Sequence, residues 1–162
     1  MEIGNLFLRL VGISRRSIVI NDGDVDKQVL TGLKKLLRKA EKSVKIVSGE
    51  LPYRVYSQPR LIEVIKDALE NKKIGVEVVA GPAADERSVE ILSSNGASVY
   101  QLDQRPTLHY FVIDGKHVRI EEPHDEHQKY RTFYTVYNFK YARLLEKKFR
   151  EMKKQAEKVE VK

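Results

Sequence analysis

Residues 105–127 decide the fold of this chain, and they read RPTLHYFVIDGKHVRIEEPHDEH. Two β-prone runs, 108–113 and 116–120, flank Asp114-Gly115, a pair that is typical of a two-residue hairpin turn of type I′. The stretch therefore predicts a β-hairpin. It also contains all four histidines of the chain and a dense group of carboxylates, so candidate functional residues concentrate here.

Upstream of the hairpin, amphipathic segments alternate with short β-branched runs. The pattern predicts helices at 24–42, 57–71 and 85–94, and strands at 44–48, 74–80 and 98–102. This succession with short connections indicates right-handed crossovers and parallel strands. The hairpin, a strand at 131–137 and a closing helix at 138–158 follow. We therefore predict an α/β fold with a mixed, largely parallel sheet flanked by helices on both faces.

The length of 162 residues suits a single hydrophobic core. We expect an N-terminal extension at residues 1–23 and one α/β domain at residues 24–162. No apolar run is long enough to cross a bilayer, and Arg9 interrupts the short apolar stretch at the N-terminus. A cytoplasmic protein with no membrane partner is the resulting expectation.

The chain has no cysteine, which excludes disulfides, thiolate metal sites and cysteine nucleophiles. It has no glycine-rich phosphate loop or dinucleotide motif either, so no cofactor is predicted. With 33% charged residues, the composition also suits a thermophilic source.

Lysine and arginine number 30 against 23 acidic residues, which gives a net charge of +7. Such an excess favours polyanionic partners, and nucleic acid is the first candidate. The alternative is that these cations serve only solubility, because many of them fall on predicted helix faces or in the C-terminal segment.

In open α/β sheets, ligands bind beyond the carboxyl ends of the parallel strands. The predicted strand ends place Glu50, Tyr53, Arg54 and Arg105 around one crevice. Two arginines and a tyrosine suit a phosphate or another anionic ligand. Alternatively, both arginines are ordinary loop residues.

His109 lies on the first hairpin strand and could act as a nucleophile, a general base or a phosphate contact. If its side chain faces the core, it is simply a hydrogen-bonded histidine. His124 and His127 lie among carboxylates and form a weak candidate site for zinc, manganese or iron. An exposed, mixed-charge loop is the competing interpretation of that segment, and no metal is predicted.

Several strings resemble one half of the phospholipase D superfamily. LKKLLRKAEKSVKIVSGEL at 33–51 resembles the opening helix and strand, and LIEVIKDALENKKIGVEVVAG at 61–81 the next pair. HYFVIDGKHVRI at 109–120 resembles the strand-turn-strand that carries the family signature. VYNFKYARLLEKKFREM at 136–152 resembles the closing strand and helix. The resemblance covers residues 33–154.

The resemblance implies a catalytic signature of His-x-Lys-x4-Asp, followed by Gly-Ser-x-Asn. In the family the histidine attacks a phosphodiester, the lysine holds the phosphate, and a second copy supplies the leaving-group acid. A chain with a single copy is therefore expected to form a homodimer. Aligned on Asp114, the signature histidine falls on Thr107, the lysine on His109, the Gly-Ser pair on Glu121-Glu122, and the asparagine on His124.

Three hypotheses follow. The first is a phospholipase D-like domain with a degenerate signature that binds an anionic ligand or nucleic acid without catalysis. Its ligand-binding residues would be Thr107, Glu50, Tyr53, Arg54, Arg105, Glu122 and His124. The second is a homodimeric phosphodiesterase or nuclease with His109 at a shared site and with His109 and Asp114 as catalytic residues. A shift of two residues places His109 at the signature histidine, shortens its spacing to Asp114 and puts Phe111 at the lysine position. The third is a structural or interaction protein.

Overall fold

The computed structural model describes residues 16–21, 25–121 and 130–160. Its strands form one eight-stranded sheet in the order β1-β7-β6-β5-β2-β3-β4-β8. The strands are β1 Arg16–Asn21, β2 Ser43–Ser48, β3 Gly75–Ala80, β4 Ser98–Gln101, β5 His109–Ile113, β6 His117–Glu121, β7 Tyr130–Tyr137 and β8 Glu157–Lys158. The helices are α1 Val25–Lys39, α2 Tyr53–Tyr56, α3 Pro59–Lys66 with a π-helical continuation at Asp67–Asn71, α4 Glu86–Ser94 and α5 Phe139–Gln155.

The sheet is mixed, as predicted. Strands β2, β3 and β4 run parallel to one another, because a helix crosses over between each successive pair. The other five pairings are antiparallel, so the parallel part is smaller than the sequence pattern suggested. In the described part of the chain, no helix is both long and apolar enough to cross a membrane.

Residues 16–21 lie within the predicted N-terminal extension, and they form an edge strand. Every residue of β1 pairs with β7 in antiparallel register, from Arg16 opposite Thr135 to Asn21 opposite Tyr130. These residues are therefore part of the sheet. The division of the chain at residue 23 stays a prediction.

Helices cover both faces of the sheet, because inward side chains alternate along the central strands. Val44 and Ile46 of β2 pack into the larger core under α1, α2, α3 and α4. Val47 of the same strand points the other way, into a second core under α5. Leu145 and Phe149 are large, fully buried residues of α5 that close this second core.

Two ion pairs hold the long helix α5 against the sheet. Lys45 of β2 donates to Glu146 at 2.7 Å, and both side chains are largely buried. Near the other end of α5, Lys153 pairs with Glu77 of β3 and lies over the ring of Tyr100. Hydrogen bonding to Glu77 and then to Tyr100 raises the pKa of Lys153 above its ordinary value. These ion pairs add polar contacts to the side of α5 that packs on the sheet.

The turn between β5 and β6 has the predicted geometry but not the predicted register. Asp114 and Gly115 have φ angles of 55° and 63°, and positive values at both central positions define a type I′ turn. The ladder nevertheless pairs Ile113 with His117, which leaves three residues in the connection. Because of this one-residue offset, His109 lies opposite Glu121.

The side chain of Asp114 also binds the connection between α1 and β2. Its carboxylate accepts hydrogen bonds from the backbone N–H groups of Glu41, Lys42 and Ser43, at 2.8 to 3.2 Å. In return, the Asp114 N–H donates to the Ser43 carbonyl at 2.9 Å. One carboxylate therefore satisfies several donors at the start of β2.

We expect Asp114→Ala to destabilise the fold by about 2–3 kcal/mol, because it removes charge-assisted hydrogen bonds and puts alanine at a positive φ. The measurement is urea denaturation followed by circular dichroism. Asp103→Ala is the matched control, because Asp103 is exposed and makes no side-chain hydrogen bond in the described residues. It should change stability by less than about 0.5 kcal/mol. Equal losses in the two variants would contradict this role of Asp114.

Candidate functional site

The candidate site lies at the edge of the sheet where the parallel strands end. Strand β5 is antiparallel to β2, so the start of β5 lies beside the carboxyl end of β2. Strand β6 ends at the same edge, with Glu121 opposite His109. These pairings bring His109, Glu121 and the loop after Ser48 together.

Both ring nitrogens of His109 have hydrogen-bonding partners. Nε2 accepts from the backbone N–H of Gly49 at 3.3 Å, and Nδ1 lies 3.3 Å from Oε2 of Glu121. Because an amide can only donate, Nε2 must carry a lone pair, and the proton is on Nδ1, directed at the carboxylate. Only 14% of the His109 side chain and 11% of the Glu121 side chain is exposed.

Two glycines permit this close packing. A Cβ atom on Gly49 would lie 2.8 Å from Nε2 of His109, too close for any side chain. A Cβ on Gly81, at the end of β3, would lie 2.8 Å from the Gly49 carbonyl oxygen and 2.9 Å from Cδ of Pro106. The backbones at the three loop ends therefore approach each other within van der Waals contact.

Two further polar side chains lie beneath this edge of the sheet. Tyr56 of α2 is fully buried, and burial raises the pKa of its hydroxyl, with a smaller contribution from the Glu121 carboxylate. Arg119 of β6 is 7% exposed, and burial lowers its pKa while Glu121 opposes that effect. Its guanidinium packs on Gly32 of α1, where a Cβ would lie 2.6 Å from Cζ. Glu121 is thus in the electrostatic field of a buried cation as well as beside His109.

The predicted crevice residues gather at the same edge, but with partners of their own. Arg105 donates to Glu50 at 3.0 Å, and both side chains are partly exposed. The Arg87 guanidinium lies over the ring of Tyr53, 4.0 Å from the ring centroid. Arg54 is exposed on the short helix α2. The arrangement leaves cationic side chains at the surface around the His109–Glu121 pair.

The remaining predicted site residues lie elsewhere. Thr107 lines a groove of about 250 Å³ with Lys148 and Met152 of α5. Asp114 is at the opposite end of β5 from His109 and bonds the backbone of the α1–β2 connection. Glu122, His124 and His127 are outside the described residues. Within the described ranges, no group of three metal-ligand side chains converges.

Four residues that build this site were not among the site residues predicted from the sequence. They are Gly49, Tyr56, Arg119 and Glu121. Arg119 had a detectable signal, since it is a lone charge between the apolar residues Val118 and Ile120. The partner of His109 could not be read from the sequence, because it depends on the hairpin register.

Neither a protein-family profile nor a curated protein matches the sequence. Solved structures do match. Nuc from Salmonella typhimurium, a phospholipase D family member, has a TM-score of 0.67 at 11% identity, and the match covers 90% of this chain and 99% of that one. NucT from Helicobacter pylori has a TM-score of 0.62 at 12% identity and covers 90% and 100%. TrmBL2, an archaeal chromatin protein, has a TM-score of 0.65 at 16% identity.

The match to TrmBL2 covers 96% of this chain and 58% of the other protein. At these identities the likeness concerns the backbone, and it agrees with the resemblance carried by the sequence strings. The order of strands and helices, the mixed sheet and the structural matches lead to one conclusion. This chain has the fold of the phospholipase D superfamily.

Proposed function

We propose that this chain is a phospholipase D-like domain that binds an anionic ligand, nucleic acid in particular, without hydrolysing phosphodiesters. The proposal depends above all on the surroundings of His109. A histidine nucleophile needs a lone pair directed at the substrate. Here the lone pair on Nε2 accepts the Gly49 N–H, and Nδ1 faces Glu121.

Glu121 supports the proposal independently. In the signature alignment it occupies the first position of the phosphate-facing Gly-Ser pair, where a small neutral residue is expected. Its carboxylate lies against His109 and is almost fully buried. A fixed negative charge at this place would repel a phosphodiester, and the repulsion is strongest where water is excluded.

Binding of an anionic ligand is supported by charge. The net charge is +7, and Arg54 and Arg105 are cationic side chains near the edge where ligands of α/β sheets bind. TrmBL2, which shares the fold, is a chromatin protein that binds DNA. In this proposal, Glu50 and Tyr53 complete the rim of the ligand site. Glu122 and His124 are further proposed ligand contacts, and Thr107 would contact the ligand from the groove beside α5.

The second candidate is a phosphodiesterase that acts as a homodimer, with one His109 from each copy. The matches to Nuc and NucT favour it, because they extend over 99% and 100% of those chains. A single copy of the half-domain also makes a homodimer part of both proposals. Light scattering coupled to size exclusion measures the assembly, and a monomer at micromolar concentration would count against it.

The hydrogen bonds of His109 predict its tautomer. Long-range ¹H–¹⁵N correlation NMR at about pH 8 should show a protonated Nδ1 and an unprotonated Nε2, because Gly49 N–H donates to Nε2. The His109→Ala variant assigns the signals. A proton on Nε2 would mean that the imidazole is turned or released, and that the nitrogen is available for attack.

Hydrolysis assays test the function itself. We expect no turnover of bis(4-nitrophenyl) phosphate or of single-stranded DNA above the buffer blank, and no effect of His109→Ala. The matched control is His117→Ala, which removes a histidine from the same hairpin, at the end far from Glu121. Hydrolysis that is lost in His109→Ala and kept in His117→Ala would establish the phosphodiesterase instead.

A further inference from the structure

Five cations follow one line along the exposed side of α5. They are spaced alternately by three and four residues, the spacing that keeps side chains on one side of a helix. All five are exposed. We call this set the α5 stripe: Lys140, Arg143, Lys147, Arg150 and Lys154.

The α5 stripe is straight and narrow. At about 100° per residue, its members fall within an arc of about 80°, and at 1.5 Å per residue they extend over about 21 Å. Neighbouring charges are thus about 5 Å apart along the axis, a separation of the same order as that of successive phosphates on a nucleic-acid strand.

The acidic residues of α5 do little to neutralise the stripe. Glu146 is turned inward and bonds Lys45 of β2. Among the described residues, the carboxylate close to a stripe cation is that of Glu151, 4.0 Å from Lys147 and exposed. Exposed pairs of this kind are weak and are easily exchanged for another anion. The stripe therefore presents a positive line to solvent.

Exposed aromatic side chains lie at the amino end of the stripe. Three large hydrophobic residues are exposed in the described part of the chain, and two of them are Tyr137, 62% exposed, and Phe139, 52% exposed. Their rings are 5.5 Å apart at 75°. Phe139 directly precedes Lys140, so the aromatic pair and the first cation of the stripe are neighbours in the chain, and the Tyr137 ring also packs edge-on against His117 at 4.9 Å.

We propose that this surface binds a single-stranded nucleic acid, with phosphates along the α5 stripe and bases stacked on Tyr137 and Phe139. Aromatic platforms beside a cationic track are how proteins hold single strands without reading their sequence. A lipid surface fits less well, because the apolar side of α5 is buried against the sheet and cannot insert. The inference rests on the proposed nucleic-acid ligand but places it on α5.

The test uses fluorescence anisotropy of the full chain with a labelled thymidine oligonucleotide of about 20 nucleotides, a uridine counterpart and a duplex, over a range of salt concentrations. The stripe variant is Lys147→Gln/Arg150→Gln/Lys154→Gln. Its matched control is Lys35→Gln/Arg38→Gln/Lys39→Gln on α1. This variant also removes two lysines and one arginine, from the exposed surface of another helix.

We expect the stripe variant to lower the slope of log affinity against log salt by about 2, since each lost phosphate contact on a single strand removes about 0.7. The α1 control should keep the wild-type slope. If the salt slope falls by the same amount in both variants, binding depends only on net charge. The proposed site on α5 would then be wrong, while nucleic-acid binding by the protein would still hold. If the wild type binds no nucleic acid, the proposed function fails as well.

The aromatic pair has a separate readout. Tyr137→Ala/Phe139→Ala should weaken single-strand binding about tenfold and leave the salt slope unchanged, because stacking involves no counterion release. Tyr137→Phe/Phe139→Tyr, which keeps both aromatic rings, is the control and should bind as the wild type does. Tighter binding to the duplex than to single strands, or to anionic vesicles than to either, would overturn the inference.

Discussion

The contact between the Gly49 amide and the ring of His109 determines the arrangement of the whole carboxyl edge of the sheet. It joins the loop after β2 to the start of β5, and it exists only because residue 49 has no side chain. The same hydrogen bond sets the tautomer of the imidazole and directs Nδ1 to Glu121. The imidazole of His109 is thereby held within an internal network of hydrogen bonds.

Most of the fold could be predicted from the sequence, because the periods of 3.6 and 2 residues are clear in the buried elements. Val44 to Ser48 and the helix ending near Ser94 are examples. The arrangement of the site could be predicted less well from the sequence. A type I′ turn at Asp114-Gly115 with two loop residues would have placed Ile120 opposite His109. The observed ladder is offset by one residue, and such an offset exchanges the faces of a strand.

The helix α5 shows how one element can serve the core and the surface with charges of opposite sign. Its inward carboxylate, Glu146, bonds a lysine of the sheet, while its cations are turned to solvent. This division is fixed by packing, because Leu145 and Phe149 are buried in the second core. The positive line on α5 and the His109 network lie on opposite sides of the sheet.

The short strand β8 has a consequence for the behaviour of the protein at high concentration. It pairs with the outer edge of β4 through two charged residues, Glu157 and Lys158. The Val159 N–H donates a hydrogen bond to the Val99 carbonyl at 2.9 Å. The unpaired backbone groups of an exposed edge strand can pair with another chain and start aggregation. A short, charged strand at the edge prevents this pairing. Strand β8 therefore protects the edge of β4 from pairing with another chain, and removing Glu157 and Lys158 would expose that edge.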